Sequence, residues 1–198
     1  MYPIDFFAWL KEMPWSVDLH ESQYAYPLVE SVHVWTLVLF FGLMIMIDLR
    51  LLGWALRGVP VSDFMRRVLP WAKAGFVVMV ITGTLLVLAI PLRSYQSIFF
   101  RTKMVMLVLA GLNVWYFHTR VYPSVVASED AASGDAASGA MCVTPKAARI
   151  AGGISLALWI CIVFSGRMIA YNWFDCDRQP QPWIINFLTS CDPTASVY

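Results

Sequence analysis

The sequence predicts an all-α integral membrane protein: an up-down four-helix bundle preceded by an amphipathic interfacial helix. Three observations predict it. Of 198 residues, 59% are hydrophobic and only 14% are charged, where a soluble domain carries about 25% charged residues. Residues 28–54, 70–92, 101–122 and 148–172 are each apolar over the roughly 20 residues that a helical span requires. Aromatic residues reach 15%, including 9 Trp, a composition suited to rings that anchor at the membrane–water interface. The net charge of +1 gives no electrostatic footprint for nucleic acid.

Residues 1–26 form an expected interfacial helix and outer tail. Ile4, Phe7, Leu10 and Met13 recur at helical spacing, with Asp5, Lys11 and Glu12 on another face, so this helix is expected to lie flat on the bilayer. The opening MYPIDFF has no basic start, and no small-residue cleavage site follows an apolar run. The first span itself is therefore expected to direct insertion.

Residues 27–173 form the transmembrane domain. Pro27 suits the first turn of a helix. Gly58-Val59-Pro60 is expected to end the first span, and Pro91 and Pro123 the next two. The tract SEDAASGDAASGA, residues 128–140, holds two near-copies of a small-residue run and is expected to be a flexible loop. In residues 174–198, Cys176 and Cys191 bracket a segment with two prolines and an apolar end, expected as a small outer cap.

Charge sets the expected orientation. Arg50, Arg57, Arg66, Arg67, Lys73, Arg120, Lys146 and Arg149 lie on one side, eight against the six of Lys11, Arg93, Arg101, Lys103, Arg167 and Arg178. The positive-inside rule then places the first and third loops in the cytoplasm of a bacterial inner membrane, with both termini periplasmic. On that side Cys176 and Cys191 are expected to form a disulfide. Cys142 and Cys161 are not expected to pair, and no C-x-x-C or Cys/His cluster suggests zinc.

Ionisable groups within a span are expensive and face the bundle interior or water, so each marks a candidate site. Depth sorts them into two layers. The outer one holds Glu30, His33, Lys103, Arg167 and Tyr171; the inner one holds Asp48, Arg50, Lys73, Asn113 and His118. Glu30 and His33 share a face of the first span. Asp48, 18 residues after Glu30, returns to that face five turns later. Thr82, Ser155 and Ser165 add hydroxyls, and Gly75 and Gly83 permit close helix approach. Asp48 and Arg50 are expected as an interfacial ion pair. Two intramembrane histidines suggest haem b with axial imidazoles and cations near the propionates. Yet His33 and His118 differ in expected depth by roughly 18 Å, so one haem shared between them is excluded. His20, a Met or a second chain is left to supply the second ligand. A structural reading competes: His33 as a hydrogen-bonded lock near Glu30 and Arg167, and His118 as a snorkelling side chain in the headgroup layer. The methionines form no M-x-x-M ladder that would suit Cu(I).

Several phrases carry a family resemblance: YPLVESVHVW, IDLRLLG, LPWAKAGFVVMVITGTLL, FFRTKMVMLVLAGLNVWYFH and SGRMIAY. Through them residues 24–173 resemble a family of bacterial four-span inner-membrane proteins of unknown function. The resemblance implies the architecture and no chemistry. It also implies that Glu30, His33, Asp48, Arg50, Lys103, Asn113, His118 and Arg167 fall in recurring motifs. A looser similarity, to copper-resistance and cytochrome-b-like membrane proteins, rests on a histidine near the start of a span.

The residues show no nucleophile–base pair and no hydrolase or nucleotide motif. The leading expectation is a non-catalytic membrane-embedded binding subunit, haem- or redox-linked, acting with other membrane subunits or as a homo-oligomer. A small proton or metal-ion transporter is the first alternative, and it meets two objections. The stripe between the polar layers is apolar, and broken helices of the kind that form transport sites are missing. A structural or assembly subunit of a larger membrane complex is the second alternative.

Overall fold

The computed structural model describes residues 3–134, 144–171, 174, 176, 181–189 and 191. All regular structure among them is helical. The elements are α1 (Pro3–Lys11), α2 (Pro14–Glu21), α3 (Ala25–Leu52), α4 (Val61–Ala89), α5 (Pro91–Gln96), α6 (Ile98–Tyr116), a π-helical turn (Phe117–Val121), α7 (Tyr122–Gly134), α8 (Lys146–Ile169) and α9 (Trp183–Thr189). Four stretches are long and apolar enough to cross a membrane: Ala25–Leu52, Val61–Ala89, Ile98–Ala131 and Lys146–Ile169. The protein is thus an all-α, four-span membrane protein.

Capping chemistry moves several expected boundaries. The Ser22 hydroxyl accepts the Ala25 N–H at 3.0 Å and starts α3, leaving Pro27 in the first turn, where its missing N–H breaks no helical bond. At the other end, Gly53 adopts φ +74°. The Gly53 N–H reaches the Arg50 carbonyl at 3.1 Å and the Trp54 N–H reaches that of Leu49 at 3.0 Å. This is a Schellman closure, so Gly53, and not Gly58, ends the first span. The second span begins at Val61 instead of residue 70 and runs through Pro70. Pro91 does not sit inside that span's end but occupies the first turn of α5.

Pro123 does not end the third span. A proline removes the bond to the carbonyl four residues back and collides with it. Here the preceding turn widens into the π-helical Phe117–Val121, and the helix continues to Gly134. The expected loop 128–140 is consequently helical as far as Gly134, and its remainder lies outside the described residues. The single interfacial helix expected at the N-terminus is two helices, because Pro14 opens a new one. Its apolar stripe also turns inward: Leu10 is buried, and Phe7 stacks on Tyr95 of α5 at 4.6 Å. Phe6, Trp9 and Trp15 carry the exposed apolar surface of this segment.

The chain divides into two compact units, which each span traverses. The first comprises Met1–Trp35, Met79–Met106 and Cys161–Tyr198. Within it the Ser16 hydroxyl donates to the Leu88 carbonyl at 2.7 Å, fastening α2 to the last turn of α4. Arg101 donates to the Tyr95 carbonyl at 2.9 Å and to the Leu188 carbonyl, and its guanidinium lies 4.5 Å from the Tyr95 ring centroid. A Cys176–Cys191 disulfide ties the described part of the C-terminal segment to itself.

The second unit comprises Thr36–Val78 and Leu107–Ile160. Its core combines apolar side chains with the buried Asp48, Arg50 and Ser155. Phe40 meets the Trp159 ring edge-on at 4.8 Å, and Met44, Ile47, Leu51, Ala72 and Ala110 are buried with it. Small residues set the spacing, as expected where lipid removes the hydrophobic drive between helices. A Cβ on Gly75 would lie 3.5 Å from the Phe40 Cβ, and one on Gly152 would lie 2.8 Å from the Leu51 Cβ.

Candidate binding site

Within the first unit α3 and α4 make one polar contact, and Lys103 of α6 lies within electrostatic reach of it. His33 of α3 places its Nδ1 2.9 Å from the Thr82 Oγ1 of α4. The neighbouring residue on α4 is Gly83, where a Cβ would stand 3.2 Å from the His33 Cε1. The imidazole therefore lies close against the α4 backbone. Lys103 of α6 makes a looser, ordinary contact with α8. Its Nζ lies 3.4 Å from the position a Cβ on Gly166 of α8 would take. The Lys103 ammonium is also near enough to His33 to act on it electrostatically. Thr82 is buried, and His33 and Lys103 are half-buried.

Among the described residues no carboxylate lies within 4.0 Å of the Lys103 ammonium. Among the described residues the only ion pair within 4.0 Å is Arg66–Asp63, at 3.3 Å on the surface of α4. Glu30, expected beside His33, is exposed. Arg167 is also exposed and turns to its own helix, donating to the Tyr171 hydroxyl at 3.2 Å with its guanidinium 5.0 Å from that ring centroid. The expected lock of His33 with Glu30 and Arg167 is thus replaced by His33, Thr82 and Lys103. Sequence spacing singled out Thr82 and Gly83 but could not pair them with His33, because the pairing needs the helices set side by side.

The inner-layer residues all belong to the second unit, and there they disperse. Asp48 and Arg50 are each 1% exposed but form no ion pair. Residues two apart on a helix point in different directions, which overturns the expected Asp48–Arg50 pair. Ser155 hydrogen-bonds the Asp48 side chain. Arg50 donates through Nε to the Val59 carbonyl at 2.7 Å and through Nη1 to the Thr144 hydroxyl at 3.1 Å. The Asp48 Oδ2 and Arg50 Nη2 are buried without partners among the described residues. Arg50 also lines a cavity of ≈ 10 Å³ beside Glu129, about the room one water needs. Asn113 donates to the Ala151 carbonyl at 3.1 Å, joining α6 to α8.

His118 bonds its Nδ1 to the Val114 carbonyl at 3.0 Å and stacks near Tyr122 at 6.0 Å. A carbonyl can only accept, so Nδ1 carries the proton and Nε2 is left as the acceptor in the neutral ring. Lys73 is exposed. Glu129, which sequence reading passed over inside the small-residue tract, takes the backbone N–H groups of Val61 and of Ser62, the latter at 3.1 Å. It supplies the cap and the negative charge that the start of α4 favours. Arg50 and Glu129 thus close helix ends, Asn113 joins α6 to α8, and His118 bonds within its own helix. No group of three or more His, Cys, Asp or Glu able to hold a metal occurs among the described residues.

A family described as "Family of unknown function (DUF6644)" matches residues 20–172. No curated protein and no solved structure matches the chain.

Proposed function

The chain belongs to this family of unknown function, and from that premise we propose that it is a non-catalytic, membrane-embedded binding subunit whose ligand is held at the His33–Thr82–Lys103 cluster. One observation carries the reading. His33 and Lys103, nitrogen-bearing side chains of different spans, each pack beside a glycine of the first unit within electrostatic reach of one another, and no carboxylate lies within 4.0 Å of Lys103 among the described residues. A cationic donor in a membrane span is costly unless something accepts from it. A ligand with an anionic or carbonyl oxygen meets that need, with Lys103 donating to it. The reading includes a partner, because binding without a nucleophile–base pair delivers a ligand to chemistry elsewhere. It places the protein in a bacterial inner membrane with both termini periplasmic, on the eight-to-six distribution of basic residues.

A haem version rests on a separate feature of His33. Its Nδ1 is held by Thr82, the outer contact that orients a metal-bound imidazole, which leaves Nε2 to ligate. The same preparation tests both versions. Protein extracted from its native membrane in mild detergent is expected to carry a small-molecule adduct in native mass spectrometry, lost in Lys103→Met and in His33→Ala. A Soret band assigns that adduct to haem, and a colourless, iron-free preparation removes the haem version. A wild-type chain with no adduct, or one retained equally by both variants, refutes the site.

A further inference from the structure

We propose a second binding site, for the headgroup end of an anionic phospholipid, in a cavity at the outer margin of the first unit. It encloses ≈ 360 Å³ among α2, the α4–α5 junction, α5 and Cys176. That volume lies within the range of small-molecule sites. Lys11, Ser16 and Val17 line it but lie outside residues 20–172, so the family match does not imply this cavity.

Its walls divide by chemistry. Val17, Ile90 and Leu92 are apolar, while Lys11, His20, Arg93 and Gln96 bring donors, with Glu21 the one carboxylate among the lining residues. Lys11 and Arg93 bring positive charge to the described lining of the cavity. The site is also built in advance. Ser16, 1% exposed, fastens α2 to the Leu88 carbonyl at 2.7 Å, the Phe7–Tyr95 stack holds α1 on α5, and the Cys176–Cys191 disulfide holds the remaining wall.

Position selects the ligand. The spans Val61–Ala89 and Ile98–Ala131 respectively end and begin beside this cavity, at the level where headgroups meet hydrocarbon. A phosphodiester with acyl chains satisfies both walls at once, the phosphate on Lys11 and Arg93 and the glycerol end against Val17, Ile90 and Leu92. A free inorganic anion would leave the apolar wall unused.

The test uses the full chain in phosphatidylcholine nanodiscs containing a minor fraction of phosphatidylglycerol, with retained lipid read by native mass spectrometry. Wild type is expected to retain phosphatidylglycerol in preference to phosphatidylcholine. Lys11→Gln/Arg93→Gln should weaken that retention roughly 30-fold, from the loss of two cations at the membrane surface. Val17→Trp should remove it with no change of charge, because the indole fills the cavity. Helical circular dichroism and melting are monitored in parallel, and the exposed single change Lys11→Gln supplies a folded comparator with intermediate loss. Equal retention by the wild type and the folded variants overturns the proposal. So does equal retention of phosphatidylcholine, or displacement of the lipid by inorganic phosphate.

Discussion

Substituting Gly152 by Ala tests the closest helix contact described in the second unit. The new methyl carbon would stand 2.8 Å from the Leu51 Cβ and 3.3 Å from the Asp48 carbonyl oxygen. Carbon atoms rest at about 3.5–4.0 Å, so the overlap with Leu51 is about 0.7 Å or more. A Cβ has no rotamer to escape into, and α3 and α8 must therefore separate locally. Overpacking of this kind costs roughly 1–3 kcal/mol. Gly→Ala in a helix also gains up to about 1 kcal/mol from propensity alone, so a control is needed that gains without the clash. Gly111 on α6 supplies it, since a Cβ there meets nothing within 4 Å. Melting in detergent, followed by circular dichroism, should place Gly152→Ala below Gly111→Ala by roughly 2–12 °C, taking about 2–4 °C per kcal/mol for a chain of this size. Gly153→Ala, whose Cβ meets the Leu52 Cδ2 at an ordinary 3.6 Å, should resemble Gly111→Ala. Equal midpoints for Gly152→Ala and Gly111→Ala would refute the close-contact reasoning.

Further expectations follow from single contacts. Arg50→Lys should cost roughly 1.5–3 kcal/mol, one charged hydrogen bond, because an ammonium cannot span the Val59 carbonyl and the Thr144 hydroxyl as the guanidinium does; chemical denaturation reads it. Glu129→Ala should cost about 0.5–2 kcal/mol by uncapping α4, with faster amide hydrogen exchange at Val61 and Ser62 as its local signature. Cys191→Ser should lower stability by up to roughly 3 kcal/mol, the loop-closure value for a separation of 15. Reductant should shift wild type to the same midpoint and leave the variant unmoved. Gly83→Ala should loosen the ligand at His33 while leaving the fold intact, since its methyl would press on the imidazole at 3.2 Å; ligand retention measured beside melting separates the two effects.

The helical, four-span architecture was legible because hydropathy over 20 residues needs no tertiary information. Boundaries were less so. Pro123 read as punctuation, yet it follows a π-helical turn that relieves its collision, and the second span begins at Val61, nine residues before the expected start. Which helix residues face one another was not legible at all. Glu30, Arg167 and His33 share a depth in the sequence, but side-chain direction sends Arg167 to Tyr171 and His33 to Thr82. Asp48 and Arg50 looked like partners through proximity along the chain, and the 3.6-residue period separates them. Glu129 was hidden in a low-complexity tract that reads as loop, although a carboxylate there closes the helix of a distant segment. The donors His33 and Lys103 were visible one by one. The close seat of the His33 imidazole against Gly83 of α4 was not visible, because it depends on which helix faces which.

The most direct test of the central claim is the mass of whatever leaves the native membrane with the protein. The Lys11→Gln/Arg93→Gln chain, in which the second site is silenced and the first left intact, is predicted to retain a small-molecule adduct. Lys103→Met and His33→Ala should lose it, and the exposed change Lys73→Gln should keep it. An adduct that survives loss of both Lys103 and His33, or none in any form of the protein, would contradict the account.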